Sequence, residues 1–326
     1  MKVMIRKLTQ TQMIVIGYAL IILTGALLLM LPAASRDGLA TSFPDALFTA
    51  TSASCVTGLV IADTFSKWTM FGQCIILALI QIGGLGFMTI GVFFAIILRR
   101  KIGLWMRGTL QESVNILQIG GIVRLAKKIM LGTLLFEGVG AALLTLRFQE
   151  QMGWGKAVYY GIFHSISAFC NAGFDLMGKD APYTSFTGYY DDPLVNIVIM
   201  ALIIIGGIGF FVWNDVSTHR HHISRYRLHT KIVLVTTAIL VIGGAALLYL
   251  FESQNTLDGM STQGKVLSSL FGSVTARTAG FNTVDTAALT DNSKMLTIFL
   301  MFIGGSPGST AGGIKTTTFV VLLVYV

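Results

Sequence analysis

Long apolar runs alternating with shorter polar or glycine-bearing stretches dominate this chain. Met13–Leu31, Phe71–Leu98, Ile129–Leu146, Leu194–Trp213 and Ile232–Phe251 carry no charged residue apart from Glu137. Each is near or above the ~18–20 residues a helix needs to cross a bilayer core. A sixth run, Met295–Val326, is interrupted by glycines and a lysine. The stretches between paired runs are too long and too apolar for simple connectors, so they read as re-entrant segments. The pattern predicts an all-α polytopic membrane protein.

Within the re-entrant segments three short motifs align: Ser54-Cys55-Val56-Thr57-Gly58-Leu59, Phe169-Cys170-Asn171-Ala172-Gly173-Phe174 and Ala276-Arg277-Thr278-Ala279-Gly280-Phe281. Their glycines fall 115 and 107 residues apart. Such a period is the mark of a repeated unit. Each unit is expected to hold an outer helix, a shorter pore helix, an extended segment ending near the glycine and a returning helix. Unit one is Met13–Leu31, Pro44–Ser54, Cys55–Leu59 and Phe71–Leu98. Unit two is Ile129–Leu146, Lys156–Phe169, Cys170–Phe174 and Leu194–Trp213. Unit three is Ile232–Phe251, Lys265–Ala276, Arg277–Phe281 and a helix from Met295. The expected division is 1–98 for the first repeat, 99–128 for a connector, 129–216 for the second, 217–231 for another connector and 232–326 for the third.

The loop residues suit one kind of chemistry. A cation shedding water needs oxygens, and backbone carbonyls arranged around an axis can supply them. Turning neighbouring carbonyls to one side demands angles that glycine adopts without strain. The negative end of each pore helix adds a modest attraction. The candidate cation filter is therefore Val56, Thr57 and Gly58, with Asn171, Ala172 and Gly173, and Thr278, Ala279 and Gly280; Gly58, Gly173 and Gly280 are the expected ion-facing positions. Hydroxyls at Ser52, Ser54, Thr57, Ser167 and Thr278 can tie the loops to their neighbours.

A second candidate is the run Gly304, Gly305, Ser306, Pro307, Gly308, Ser309, Thr310, Ala311, Gly312 and Gly313, followed by Ile314 and Lys315. So much glycine and proline cannot remain an ordinary helix. Irregular backbone at membrane depth requires a protein-buried or water-lined place. Set after the third loop, this run would lie below the filter as a gating loop; a plain loop ending a short helix is the alternative. It is no nucleotide-binding loop, because Ile314 separates Gly313 from Lys315 and no strand precedes it.

Charge adds orientation. The chain carries 23 Lys and Arg against 15 Asp and Glu, and charged residues make up only 12%. Fifteen of the basic residues, among them Lys2, Arg6, Lys7, Arg99, Arg100, Lys101, Arg107, Arg124, Lys127, Lys128 and Lys231, fall on one side of the predicted topology. That side, with the N-terminus, is expected to be cytoplasmic. The surplus is not a nucleic-acid footprint, since no stacking aromatics interleave with it. Cys55, Cys74 and Cys170 have no metal-ligand spacing, and the first and last are read as small packing residues of pore helices.

Together the three loops, the glycine-rich run and the charge pattern resemble the Trk/Ktr/HKT superfamily of potassium transporters, above all its Ktr membrane subunit (KtrB). The resemblance implies four repeats about a pseudo-fourfold pore and a bacterial cell membrane location. It also implies K+ as the transported ion, Na+-promoted uptake or symport, and a homodimer. A cytosolic nucleotide-binding ring of the KtrA kind is the implied partner, beside membrane lipid, and the resemblance brings no nucleic acid and no organic cofactor. Glycine at 58 matches the potassium-favouring form; relatives with serine there tend to admit sodium. A fourth filter glycine is expected near position 390, so the three units are expected to belong to a longer protein or to be completed by a second chain.

Glu137, an ionisable group in a membrane helix, is expected to pair with a neighbouring helix, a place on a cation route being the alternative. His219, His221, His222 and His229 form a cytoplasmic cluster better suited to a solvated surface than to a metal. His164 is read as a packing or hydrogen-bonding residue of a pore helix, and Asp175 either draws cations to the mouth or caps a turn. A secondary transporter of another cation or small solute is the alternative reading, although such sites usually lie at broken helices. An enzyme is not expected, for no convergent nucleophile, base or metal set is visible.

Overall fold

The computed structural model describes residues 9–98, 103, 108–110, 121–179, 181–220 and 222–325. Within them the chain is helical, with two isolated β-bridges as its only pairing of extended backbone. Lys2, Arg6, Lys7, Arg99, Arg100, Lys101, Arg107 and His221 lie outside the described residues.

Unit one contains α1 (Gln10–Leu29), α2 (Phe43–Cys55), the single turn α3 (Thr64–Lys67), α4 (Met70–Leu85) and α5 (Phe87–Ile97). Unit two contains α6 (Ile122–Phe169), α7 (Pro193–Gly207) and α8 (Phe210–His219). Unit three contains α9 (Leu228–Glu252), α10 (Thr262–Thr275), α11 (Asp291–Phe302) and α12 (Thr316–Tyr325).

Local sequence explains where these helices begin. Thr9 and Gln12 form a reciprocal capping box at the start of α1. The pore helices α2 and α10 open on Ser42 and Ser261, whose hydroxyls accept from Asp45 N and Gly264 N. The returning helices open alike in all three units, on Thr69, Asp192 and Thr290. A side-chain oxygen at that position satisfies a backbone donor that the helix leaves free.

Three helices are long and apolar enough to cross a membrane: Gln10–Leu29, Val123–Phe169 and Leu228–Glu252, with the pair Pro193–Gly207 and Phe210–His219, bent by 96°, as a fourth. Leu20, Leu27, Leu135, Val139, Ile239 and Leu250 stand exposed on the outer helices. Apolar side chains turned outward suit lipid and not water.

Several boundaries differ from the sequence expectation. Phe71–Leu98 is not one helix: it breaks at Gly86, whose φ is +77°. Leu194–Trp213 breaks between Gly207 and Phe210, where Gly209 has φ +91°. The outer and pore helices of unit two, both within α6, are parted by a kink at Gly153 (φ 73°, ψ 162°), as expected, though each reaches closer to it. The connectors are shorter than drawn, since α6 starts at Ile122, α8 runs to His219 and α9 starts at Leu228. Apolar periodicity passes unchanged through a glycine that turns the chain, and this hides the breaks.

The returning helices share a motif. Each returning helix carries an Ile-Gly-Gly triplet: Ile82-Gly83-Gly84, Ile205-Gly206-Gly207 and Ile303-Gly304-Gly305. A Cβ on Gly83 would stand 2.1 Å from Ser54 O, and one on Gly206 would stand 2.0 Å from Phe169 O. Ser54 and Phe169 each lie four residues before the loop glycine of their unit, so both triplets admit the end of a pore helix against the returning helix.

Gly206→Ala is therefore expected to destabilise the full-length protein by about 1–3 kcal/mol, the usual cost of overpacking. Gly243→Ala, where nothing lies within 4 Å of the added carbon, is expected to leave stability unchanged or slightly raised. Thermal unfolding followed by tryptophan fluorescence in detergent compares the two.

Candidate ion pathway

The ends of the three pore helices meet. A Cβ on Gly58 would lie 2.6 Å from Ala172 O and 3.7 Å from Gly173 Cα. A Cβ on Gly173 would lie 2.4 Å from Ala279 O and 2.9 Å from Gly280 Cα, and one on Gly280 would lie 3.3 Å from Gly173 Cα. The glycine of each of the first two units thus abuts the carbonyl just before the glycine of the next unit. No side chain fits at such contacts.

All three glycines are left-handed, with φ of +74° at Gly58, +72° at Gly173 and +91° at Gly280. So are the residues two positions earlier: Val56 at +55°, Asn171 at +57° and Thr278 at +66°. The loops are therefore not the plain extended segments expected from sequence. In a flat strand successive carbonyls face opposite ways; left-handed residues at every second position break that alternation. For valine and threonine this conformation is a strained exception, and it recurs at the matching position in three units.

Hydroxyls hold the loops. Ser52 Oγ and Thr57 Oγ1 are 2.9 Å apart, Ser167 Oγ donates to Phe174 O at 2.6 Å, and Thr278 Oγ1 accepts from Gly312 N at 3.2 Å. Thr275, which the sequence reading passed over, donates to Phe281 O at 2.6 Å as Ser167 does in unit two. Ser54 Oγ is buried without a partner. Cys170 is buried against Gly84, where a Cβ would come 2.7 Å from its Sγ. Cys55 is exposed, so tight packing does not account for it.

The glycine-rich run folds into a closed hairpin. Ile303 and Ile314 form a parallel bridge, and Gly305 N donates to Gly312 O at 3.1 Å. Gly304 and Gly313 touch so closely that a Cβ on Gly304 would fall 1.9 Å from Gly312 O. The hairpin is seated in the break of unit two: Ser306 N donates to Gly207 O and Phe210 N to Gly308 O. Thr310 Oγ1 lies 3.0 Å from Phe169 O and 3.1 Å from Asn171 Oδ1. Arg277, buried beside the third loop, donates from Nη2 to Gly304 O at 3.3 Å. Lys315 Nζ donates back to Ala311 O at 2.8 Å. Ser306 is fully buried and Thr310 and Ala311 nearly so, whereas Gly312 and Gly313 are exposed, so the run is partly buried beside two of the three loops.

Other singled-out residues have definite places. Glu137 Oε2 accepts from Gln81 Nε2 at 3.1 Å, joining α6 of unit two to α4 of unit one. His164 donates from Nδ1 to Tyr160 O at 2.8 Å and accepts at Nε2 from Leu176 N at 3.0 Å. The two contacts together require the Nδ1–H tautomer. His219 pairs with Asp215 at 3.0 Å, whereas His229 rests on the Phe211 ring. Among the described residues no three His, Cys, Asp or Glu side chains are placed to hold a metal ion. Asp175 caps a turn, accepting from Met177 N at 2.9 Å. Burial, opposed by that bond and aided by the Asp63 carboxylate, raises its pKa to about 6.

A family profile described as TrkH, cation transport protein, matches residues 4–325. The chain belongs to this family. It is 43% identical to the potassium/sodium uptake protein NtpJ of Enterococcus hirae over 99% of its own length and 71% of that protein's. It is equally 43% identical to the Ktr system potassium uptake protein B of Bacillus subtilis, covering 98% of this chain and 71% of the relative. The crystal structure of the potassium transporter TrkH from Vibrio parahaemolyticus shares the fold, with a TM-score of 0.68 and 22% identity. That alignment covers 94% of this chain and 60% of TrkH. The TrkH family comprises ion transporters and not enzymes.

Because Asp175 changes charge near pH 6, one carboxylate is gained beside the second loop as pH rises through that value. Cation uptake by the full-length protein is expected to rise between about pH 5 and 7 with this ionisation. Asp175→Asn is expected to flatten the rise, measured as radioactive rubidium uptake into cells or vesicles.

Proposed function

We propose that this chain is the ion-conducting membrane subunit of a bacterial potassium uptake system. In this reading K+ sheds water onto carbonyls of Val56–Gly58, Asn171–Gly173 and Thr278–Gly280, and Gly304–Gly313 with Lys315 is the gate beneath them. The observation that carries it is the backbone contact of Gly58, Gly173 and Gly280 at the ends of three pore helices. Carbonyl oxygens there face no side-chain donors of their own loops, as dehydration of a cation requires. The names of the relatives, the TrkH fold and the burial of the glycine hairpin against two loops all support it.

The same reading extends to assembly. The N-terminus is cytoplasmic, the basic ends of the helices face the cytosol, and the subunit pairs as a homodimer on a nucleotide-binding ring of the KtrA kind. Na+ promotes uptake. The repeats 1–98, 129–216 and 232–326 are three of four quarters of one pore.

Growth of a potassium-uptake-deficient bacterium at limiting K+ tests the proposal. The full-length protein is expected to restore growth, and well-expressed protein that fails to do so refutes the assignment. In the same cells Gly58→Ser is expected to lower the preference for K+ over Na+ by about tenfold, the effect of roughly 1.4 kcal/mol at a coordinating site. An unchanged preference would place the filter elsewhere. Removal of Gly305–Gly312 is expected to raise K+ flux without altering selectivity, and unchanged or abolished flux in folded protein would rule the hairpin out as the gate.

A further inference from the structure

A cavity of about 740 Å³ lies between units one and two, walled by Arg36, Phe65, Met70 and Gln73 on one side and by residues from Gln151 to Tyr189 on the other. It adjoins Gly153, where α6 turns from outer helix to pore helix. Lys128 and Gly153 are 25 residues apart along α6, about 37 Å at the helical rise. The cavity therefore sits at the membrane surface opposite the Lys127–Lys128 end.

Its chemistry is one-sided. Among the described residues the lining holds Arg36, Lys156 and Lys179 and no carboxylate, and of its phenols Tyr159 donates to Gln73 and Tyr189 to Gln151. Arg36 is held with its guanidinium 4.2 Å from the centre of the Phe65 ring and its Nε donating to Trp68 O at 3.2 Å. That bond leaves its two terminal nitrogens uncommitted. Among the described residues neither Lys156 nor Lys179 has an ion-pair partner. Asp63, which acts electrostatically on Tyr160, is not part of the lining, and its oxygens accept from Tyr183 N and Ser66 N. Guanidinium, ammonium and phenol groups are donors, and the first two never accept.

A pocket rich in charged donors and free of carboxylates recognises an oxyanion, and arginine with lysine is the usual pairing for phosphate. Arg36, Lys156 and Lys179 are exposed at the mouth of the cavity, and Leu176 and Met177 in its wall follow Gly173 by three and four residues. We infer that this cavity is a binding site for a phosphate-bearing anion, held by Arg36, Lys156 and Lys179, which bridges units one and two next to the second loop. Two sources share the chemistry: the headgroup of an anionic phospholipid and free phosphate. The inference does not depend on the identity of the transported ion.

The test uses the full-length protein in phosphatidylcholine nanodiscs, with Lys156→Gln/Lys179→Gln as the variant and Lys265→Gln/Lys294→Gln as the control. In one arm inorganic phosphate is titrated and thermal unfolding is followed. In the other, phosphatidylglycerol replaces part of the phosphatidylcholine, and lipid retained by the protein is counted by native mass spectrometry. Saturable binding in either arm, weakened about tenfold for each ammonium lost and unaffected in the control, supports the site; the responding arm identifies the source. If neither probe responds, or if variant and control respond alike, the inference is overturned. Should the double variant fail to fold, Lys179→Gln and Tyr160→Phe, which leave the Arg36 contacts intact, are judged by the same two readouts.

Discussion

Main chain pressed against main chain is the constraint on which this molecule is built. Where three pore helices end, no side chain separates the loops: Gly58 meets Ala172 O, and Gly173 meets Ala279 O and Gly280. Each unit must present a left-handed glycine there, preceded by a second left-handed residue. Each pore helix must also reach that point, and in units one and two it does so by lying on a Gly-Gly step of its returning helix. The carbonyls at this junction have few protein donors. In an apolar setting they would be costly, unless something else supplies the partner, as a cation does.

The same economy of side chains shapes the glycine hairpin. A bundle of packed helices cannot admit a segment of thirteen irregular residues unless its polar backbone is matched. Here the hairpin satisfies part of its own backbone across the Ile303–Ile314 bridge and part on Gly206, Gly207 and Phe210 of unit two. The 96° break between α7 and α8 is thus a receptacle, and its freed backbone groups are used by the hairpin. Breaks in membrane helices are tolerated on these terms.

Repetition made the loops legible before any coordinates: three glycine motifs in register, each between apolar runs, mark the residues that the structure brings into contact. The glycine-rich run was legible as a break in the last helix for the opposite reason, because its composition cannot remain helical. What escaped notice was the second repeat, Ile-Gly-Gly, since a glycine pair inside a long apolar run leaves hydrophobic periodicity intact. Aligning the three returning helices would have revealed it. The left-handed Val56, Asn171 and Thr278 were not legible, because β-branched residues argue against that conformation. Nor were the long-range bonds of Thr310 and Arg277, whose partners lie up to 141 residues away.

The hairpin's supports are unevenly shared. Thr310 reaches the second loop, and Gly312 and Arg277 join it to the third, whereas the first loop is secured within itself by Ser52 and Thr57. Any displacement of the hairpin must sever anchors on one flank of the junction and spare the other. Such a displacement would therefore shift the oxygens of the second and third loops and leave those of the first in place.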